Sequence, residues 1–456
     1  MKITISNKLY ISEPTAQIKD WCRENLILPN PNYYKKEKMG FWTGNEPEYL
    51  YLYEKTDTYL ILPFGCLGTV WKYHPVKDDY TYEICHVRQL KYESGINLYP
   101  YQKTAAEKAL KAKNGVLVMP CGSGKTQTGL EIIAEVGGRA LWLTHTQDLL
   151  NQSKQRAESV LDGCEFGTIT AGKSHPGKHI TFATVQTLSK LDLSEYRDMF
   201  DVIICDECQH AAGSPTKVTQ FYKVMSELSA RYKIGLTATP KRADKLETSM
   251  FALLGGIIHE VTREEVKHTT CKINIEIYET GWMPKVPHKD GIDYAKLVDE
   301  LTHDENRYQM VLEKVNSLKM PTIVLANRVE YLQRMCNDFH GKAICISGQG
   351  QSKKAKAERK AALENLNKGE IDCIFSSFTL SKEGLDVPNL RYVVFATPEH
   401  DSTTIIQSAG RVGRKADGKE YGTVIDFIDS FDMLRSWCKQ RLKYYREIEA
   451  EVVNFG

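Results

Sequence analysis

The sequence predicts an α/β protein with two tandem parallel-sheet domains and a small α+β domain in front of them. From about residue 115 onward, short apolar runs alternate with helical stretches, five in each half. The runs lack the polar alternation of a sheet with one solvated face, so they predict strands buried on both faces. Nearly every run also ends in a polar cluster. The runs are residues 115–120, 139–145, 179–184, 201–207, 233–239, 322–327, 342–347, 372–377, 392–397 and 422–427.

Three segments follow from this pattern. Residues 1–95 read as a small accessory domain, in which residues 48–63 form two strands around a turn. Residues 96–270 form the first parallel-sheet domain. Residues 271–456 form the second, with a helical C-terminal tail.

The bulk composition places few limits on partners. The chain has 456 residues, is 42% hydrophobic and carries a net charge of +2, which neither demands nor excludes nucleic acid. It has no apolar run long enough to span a bilayer and no apolar leader at the start. We therefore expect no membrane partner and a cytoplasmic location, in the host cytoplasm if the protein is viral. We expect Cys205 and Cys208 to be buried reduced thiols, because no second pair lies at zinc-site spacing.

The run "PCGSGKT" predicts a phosphate-binding loop between a strand and a helix. Gly122 and Gly124 offer bare backbone to phosphates, Lys125 can reach the terminal phosphates, and Thr126 can hold Mg²⁺. Met119 stands where the usual pattern has glycine, so a chance match remains the alternative. The expected contacts of the nucleotide are Pro120, Cys121, Gly122, Ser123, Gly124, Lys125 and Thr126.

The run "DVIICDE" predicts a buried strand that ends in two adjacent acidic residues. Asp206 is expected to hold Mg²⁺ through water, and Glu207 to orient or deprotonate an attacking water. The alternative is a pair of acids that cap the next helix.

The run "TTIIQSAGRVGRK" spaces four residues along one helix face. Gln407, Gly410, Arg411 and Arg414 fall at i, i+3, i+4 and i+7. Two cations on one stripe suit anionic oxygens, so Arg411 and Arg414 are candidate arginine fingers for a nucleotide in a cleft between the domains, with Gln407 beside it. A solvated basic face is the alternative.

These motifs, taken in order, resemble the series of the superfamily 2 helicases. The series covers residues 98 to about 415, and it is most similar to XPB-type DNA helicases and phage UvsW-type branch-migration helicases. Its members in this chain are YPYQ, PCGSGKT, THTQDLLNQ, ATVQTL, DECQ, TATP, LANR, SKEGLDVP and QSAGRVGR.

The resemblance implies two RecA-like P-loop domains and roles for further residues. Gln102 would read the adenine edge, which favours ATP over GTP. Gln209 would link hydrolysis to the DNA-gripping strands, although many relatives carry histidine there and His210 follows it. Tyr99 stands where arginine is common.

The resemblance also places eight residues over the sugar-phosphate backbone of one DNA strand. Short hydroxyl and amide side chains can follow phosphates without reading sequence. Each position could instead cap a helix, above all Thr146 and Thr184. The eight are His145, Thr146, Thr184, Gln186, Asn327, Arg328, Ser376 and Thr379.

The N-terminal segment combines aromatic and basic residues. Bases could stack on Tyr33, Tyr34, Phe41 and Trp42, but a small sheet also needs a core, and we expect these aromatics to supply it.

The function that these observations predict is an ATP- and Mg²⁺-dependent DNA helicase or translocase. The resemblance implies branched DNA as substrate, 3′→5′ polarity, and a role in replication, recombination or repair. The alternatives are an RNA helicase, an ATP-switched remodelling or annealing module without unwinding, and the motor subunit of a restriction or repair complex. The oligomeric state stays open.

Overall fold

The computed structural model describes residues 1–84, 87–90, 92–211, 213–214, 218–240, 246–285, 293–346, 353–378 and 387–455. The chain forms two compact units. The first comprises Met1–Pro120 and Gly124–Thr262, and the second comprises Cys121–Ser123 and Arg263–Gly456. The domain boundaries at residues 95 and 270 stay a prediction.

A five-stranded sheet forms the N-terminal part of the first unit. Its apolar side chains alternate, so that Ile3, Ile5, Leu9 and Ile11 all enter one core. The helices Ala16–Asn25, Pro31–Lys38 and Leu67–Tyr73 accompany this sheet. The strand order is Glu54–Lys55, Leu60–Pro63, Lys8–Ser12, Lys2–Ile5 and Tyr80–Tyr82.

The segment 48–63 contains the predicted hairpin and one further strand. Glu54–Lys55 pairs antiparallel with Leu60–Pro63. Tyr49–Tyr51, however, pairs with Ile27–Pro29 in a separate two-stranded sheet.

An eight-stranded sheet carries the rest of the first unit. All five predicted strands are present in it, and their mutual pairings are parallel. The helices of this part are Pro100–Ala112, Lys125–Val136, Gln147–Val160, Val185–Leu188, Gln220–Glu227 and Glu247–Leu254. The strand order is Lys173–His175, Phe166–Thr170, Ile180–Thr184, Ala140–Thr144, Val202–Asp206, Tyr232–Thr237, Asn114–Val118 and Ile257–Glu260.

A seven-stranded parallel sheet forms the second unit and again contains all five predicted strands. Its helices are Arg263–Val266, Tyr294–His303, Glu305–Asn316, Val329–Asp338, Lys353–Lys368, Ser402–Val412 and Asp432–Glu447. The strand order is Ala343–Ile346, Cys373–Ser377, Thr322–Ala326, Tyr392–Phe395, Tyr421–Ile428, Lys272–Glu279 and Glu451–Phe455. The predicted fold class is confirmed.

Buried polar contacts attach the small N-terminal sheet to the eight-stranded part of the same unit. The Asn7 amide donates to the carbonyl of Ser226 at 2.7 Å. The fully buried Lys233 ammonium donates to the carbonyl of Leu228 at 2.7 Å and lies 4.6 Å from the ring centre of Phe64. Burial lowers the pKa of Lys233 to about 7.

Within the described part of the chain, no helix is both long enough and apolar enough to cross a membrane.

A buried ion pair anchors the core of the second unit. The Arg307 guanidinium donates from Nε to Asp429 Oδ1 at 2.7 Å and from Nη2 to Oδ2 at 3.2 Å, and both side chains are buried. Thr280 Oγ1 donates to the same carboxylate at 2.6 Å. The carboxylate therefore has several donors, as a buried charge requires.

We predict that Asp429→Ala lowers the free energy of unfolding by about 3–5 kcal/mol, because it leaves the Arg307 charge buried without its partner. The control is Glu305→Ala, which removes the exposed Glu305–Arg334 pair and should cost less than about 1 kcal/mol. Urea denaturation followed by fluorescence measures both variants. Equal losses would contradict the assignment of Asp429 as the anchor.

Candidate nucleotide and nucleic-acid sites

The phosphate-binding loop leaves a buried strand and opens a helix, as its sequence predicts. Gly122 and Gly124 both have φ near +79°, the left-handed region that glycine adopts without strain. Gly124 directly precedes the helix Lys125–Val136, whose first N–H groups have no partner inside the helix. Met119 is fully buried, so its side chain packs in the core. The loop thus has the backbone that close approach of a phosphate requires.

Gln102 packs against this loop. An added Cβ on Gly124 would lie 2.2 Å from Gln102 Nε2, so only glycine leaves room for the buried amide. The Gln102 Oε1 atom accepts the backbone N–H of Tyr99 at 2.9 Å, at the start of the helix Pro100–Ala112. Gln102 therefore joins the start of the helix to the phosphate-binding loop. Its contact with adenine stays a prediction.

Lys125 and the two acids form one electrostatic group. Burial, and then the adjacent Glu207 carboxylate, raise the pKa of Asp206, while Lys125 opposes the shift. Burial alone would also raise the pKa of Glu207. Lys125, the hydrogen bond from Gln209, and the imidazoles of His145 and His210 together hold that pKa below its ordinary value. The group favours an ionised Glu207 beside a more basic Asp206.

The backbone at Glu207 is held in an unusual conformation. Glu207 has φ 50° and ψ 51°, a left-handed conformation that costs a non-glycine residue free energy. Its N–H donates to Asp206 Oδ1 at 3.0 Å. The alternative prediction, that the two acids cap the next helix, is wrong for this pair, because neither carboxylate accepts a backbone N–H of the short helix Cys208–His210.

A hydrogen-bonded chain runs from Glu207 to the next strand. The Gln209 amide donates from Nε2 to Glu207 Oε2 at 2.8 Å, and Gln209 Oε1 accepts the hydroxyl of Thr237 at 2.7 Å. Thr237 Oγ1 also accepts the N–H of Thr239 at 3.0 Å. Sequence reasoning missed Thr237 as a site residue, although "TATP" stood among the motifs that carried the resemblance.

His145 and Gln186 lie together at the end of neighbouring strands. The Gln186 amide donates to the carbonyl of His145 at 2.7 Å. The His145 and His210 ring centres are 4.2 Å apart. His210 was noted only as the neighbour of Gln209, and its contact connects the acid group to the predicted nucleic-acid residues.

The side chains of Thr146 and Thr184 make hydrogen bonds within the protein. Thr146 Oγ1 accepts the N–H of Leu149 at 3.3 Å and caps the helix Gln147–Val160, which is the capping alternative. Thr184 is buried, and its hydroxyl contacts those of Thr170 and Thr187 at 3.3 and 3.1 Å.

In the second unit, Asn327 and Arg328 directly follow the strand Thr322–Ala326. The Asn327 amide donates to the hydroxyl of Tyr294 and to the carbonyl of Pro398, each at 3.1 Å. Arg328 Nε donates to Asp299 Oδ1 at 2.6 Å.

Ser376 is a correction. The resemblance placed it over the DNA backbone, but it lies inside the strand Cys373–Ser377 with no exposed surface, and its hydroxyl is 3.4 Å from the carbonyl of Ile346. A side chain buried in a sheet cannot reach a polymer. Thr379 lies outside the described residues.

Arg414 is a second correction, because it does not share a helix face with Arg411. The helix Ser402–Val412, which carries Gln407, Gly410 and Arg411, ends before it. The chain then makes a tight turn in which the Arg414 N–H donates to the carbonyl of Arg411 at 3.4 Å. Burial lowers the pKa of Arg414, which argues against a solvated basic face.

The aromatic residues of the N-terminal segment are a third correction. Tyr34, Phe41 and Trp42 are exposed, and Tyr33 is only partly covered. The small sheet instead takes its core from the alternating residues of its strands, so the expectation that these aromatics supply that core is wrong.

Two family profiles match the chain, one on each parallel-sheet part. Residues 95–242 match "Type III restriction enzyme, res subunit" and residues 300–416 match "Helicase conserved C-terminal domain". A phosphate-binding loop, a strand-end acid pair and a second parallel sheet define the class of two-domain P-loop nucleotide-binding proteins.

Relatives of this chain carry helicase names. A protein provisionally named helicase 22 from Sulfolobus islandicus filamentous virus (isolate Iceland/Hveragerdi) is 27% identical over 74% of this chain and 64% of its own length. The "DNA 3'-5' translocase XPB2" of Sulfurisphaera tokodaii is 26% identical over 71% of this chain and 80% of its own length. The chain thus spans somewhat less than two thirds of the viral relative.

A solved structure shares the fold. The restriction-modification enzyme LlaBIII bound to DNA aligns with 77% of this chain and 30% of its own, with a TM-score of 0.58 and 18% identity. The two profiles and these relatives support an ATP-hydrolysing helicase of superfamily 2 with two RecA-like domains, similar to the XPB-type DNA helicases.

We predict that Gly124→Ala lowers ATP affinity roughly tenfold, because the new Cβ adds left-handed strain and displaces Gln102. The control is Gly172→Ala, where φ is +74° and the space around the new Cβ is open. Titration with a fluorescent ATP analogue measures both variants. An equal loss of affinity in both would contradict a specific role for the Gly124 contact.

Proposed function

We propose that this chain is an ATP-dependent DNA translocase and helicase that remodels branched DNA in replication, recombination or repair. The observation that carries the proposal is the hydrogen-bonded chain from Glu207 through Gln209 to Thr237, which lies within the electrostatic influence of Lys125, because a motor must connect hydrolysis to a second structural element. The name of the Sulfurisphaera tokodaii relative supports DNA as the track and 3′→5′ as the polarity.

The residues of the first domain would bind ATP and orient the attacking water. The backbone of Cys121–Gly124 would surround the phosphates with N–H groups, Pro120 would lead the strand into the loop, and the Lys125 ammonium would neutralise the terminal phosphates. Glu207, whose pKa is held low, would accept a proton from the water. Mg²⁺, when bound, would offset charge on the phosphate oxygens, and Thr126 and Asp206 have the oxygen atoms that this ion prefers.

The residues of the second domain would act on the same nucleotide. Arg411 and Arg414 would stabilise the charge that develops on the transferred phosphoryl group, and Gln407 would lie beside it. Arg414 suits this role because it is half-buried and burial lowers its pKa, so that its charge is partly removed from water.

The nucleic-acid role is best supported at residues with polar groups near strand ends. His145, Gln186, Asn327 and Arg328 fulfil this condition, and their hydrogen bonds hold the local backbone in place. Ser376 is withdrawn because it is buried, and Thr146 and Thr184 act in the fold.

We predict that Arg414→Ala abolishes ATP turnover, with a loss of about 10³-fold or more, while ATP binding largely survives, because an arginine finger acts mainly in the transition state. The control is Arg435→Ala, an exposed arginine on the helix Asp432–Glu447. Steady-state ATPase rates and nucleotide titrations separate the two effects. Turnover near wild type in Arg414→Ala would refute the finger assignment.

A second measurement tests the substrate. ATPase rates should rise most with four-way junctions and forks, less with linear DNA and least with RNA, all at one stated salt concentration because phosphate binding depends on salt. Stimulation by RNA alone would overturn the DNA assignment. Rapid hydrolysis without unwinding or branch migration would favour an ATP-switched remodelling module.

A further inference from the structure

Residues 30–48 form an excursion between the paired strands Ile27–Pro29 and Tyr49–Tyr51 of the two-stranded sheet. Asn30 closes its base: the backbone N–H donates to the carbonyl of Glu48 at 2.9 Å, and the side-chain amide donates to the carbonyl of Pro47 at 2.7 Å. Asn30 is itself buried. The excursion is therefore held by polar contacts at its base.

The outer surface of this excursion is apolar and aromatic. Trp42 is 88% exposed, Phe41 65%, Met39 57% and Tyr34 37%. None of the eight residues of the helix Pro31–Lys38, all of them described, is buried. Large apolar side chains that cluster on the surface mark a binding site when the fold does not use them.

Gly44 leaves room for one edge of Trp42. Gly44 has φ +58°, and an added Cβ there would lie 3.1 Å from Trp42 Cζ3 and 3.3 Å from Cε3. The glycine therefore lets one edge of the indole lie close to the backbone while the rest of the ring faces solvent. An aromatic side chain has only two rotatable bonds, so it loses little conformational freedom when a flat partner stacks on it.

The excursion carries three lysines and three glutamates, and its positive charge is concentrated on the helix. The helix holds Lys35, Lys36 and Lys38 against the single acid Glu37. Lys36 lies 3.6 Å from the carboxylate of Glu46. Glu48 accepts the hydroxyl of Tyr34 at 3.0 Å. Lys35 and Lys38 are exposed, and the net positive charge of the helix favours an anionic partner.

We propose that Tyr34–Trp42 is a stacking platform for unpaired bases of single-stranded DNA. The faces of Trp42 and Phe41 would receive one base each, and Lys35 and Lys38 would contact the flanking phosphates. A single strand suits this surface because duplex bases are already stacked on one another, whereas every unpaired base offers a π-face. The inference rests on the proposed function and extends it, because it names the part of a branched substrate that the accessory sheet holds.

The test measures the affinity of the full chain for a labelled 20-nucleotide oligo-dT, without nucleotide, by fluorescence anisotropy. Trp42→Ala should weaken binding roughly tenfold, as expected for loss of one base–aromatic stack, and should leave blunt duplex affinity and the ATPase rate without DNA unchanged. The matched control is Tyr421→Ala, which removes an exposed aromatic side chain from the seven-stranded sheet of the second unit. This variant should bind oligo-dT as tightly as the wild type.

Two further variants separate stacking from general apolar contact. Trp42→Phe should restore most of the affinity, because it keeps a planar ring, while Trp42→Leu should not. Equal oligo-dT binding by wild type and Trp42→Ala would overturn the platform, as would full binding by Trp42→Leu. Binding of wild type to phosphatidylglycerol vesicles but not to oligo-dT would overturn it in favour of a lipid surface.

Failure of the platform and failure of the proposed function have different signatures. If no nucleic acid stimulates the ATPase activity of the wild type, the proposed translocase function is wrong. If nucleic acid stimulates the ATPase activity but Trp42→Ala binds oligo-dT as tightly as the wild type, only the stacking platform is wrong.

Discussion

The parallel register of three neighbouring strands is the constraint on which the nucleotide site depends. Val202–Asp206 pairs with Tyr232–Thr237, which pairs with Asn114–Val118, so that Asp206 lies opposite Leu236 and Thr237 opposite Val118. Because parallel strands end at the same edge, the acid pair, Thr237 and the start of the phosphate-binding loop are neighbours before any side chain is placed. A slip of one residue would turn every side chain of the slipped strand to the other face. The strand register therefore determines which groups of the nucleotide site are neighbours.

The strained backbone at Glu207 follows from this placement. A left-handed conformation costs free energy, but it aims the carboxylate away from the strand direction, where Gln209 can donate to it. Gln209 accepts from Thr237 through its other terminal atom. An amide can do this because it has both a donor and an acceptor, and this is how a glutamine can replace the histidine common at this position.

Much of this arrangement could be predicted from the sequence, and the reasons for the rest are physical. Continuous apolar runs identified ten strands, but Lys272–Glu279 alternates buried and partly exposed residues and was missed by that criterion. The residue spacing predicted that one helix continues to Arg414, whereas the helix ends at Val412. Spacing also does not reveal that Ser376 is buried inside a strand. Aromatic content could not separate a core from a surface at Trp42, because that depends on which residues pack inward elsewhere.

One strand connects the accessory sheet to the site. Lys233, the second residue of Tyr232–Thr237, donates to the carbonyl of Leu228 and lies 4.6 Å from the ring centre of Phe64, which directly follows the strand Leu60–Pro63 of the small sheet. Thr237, the last residue of the same strand, donates to Gln209. Six strand residues span about 20 Å at ~3.3 Å each. Since a buried central strand is among the least deformable elements of a domain, the accessory sheet and the hydrolysis site should move as one body.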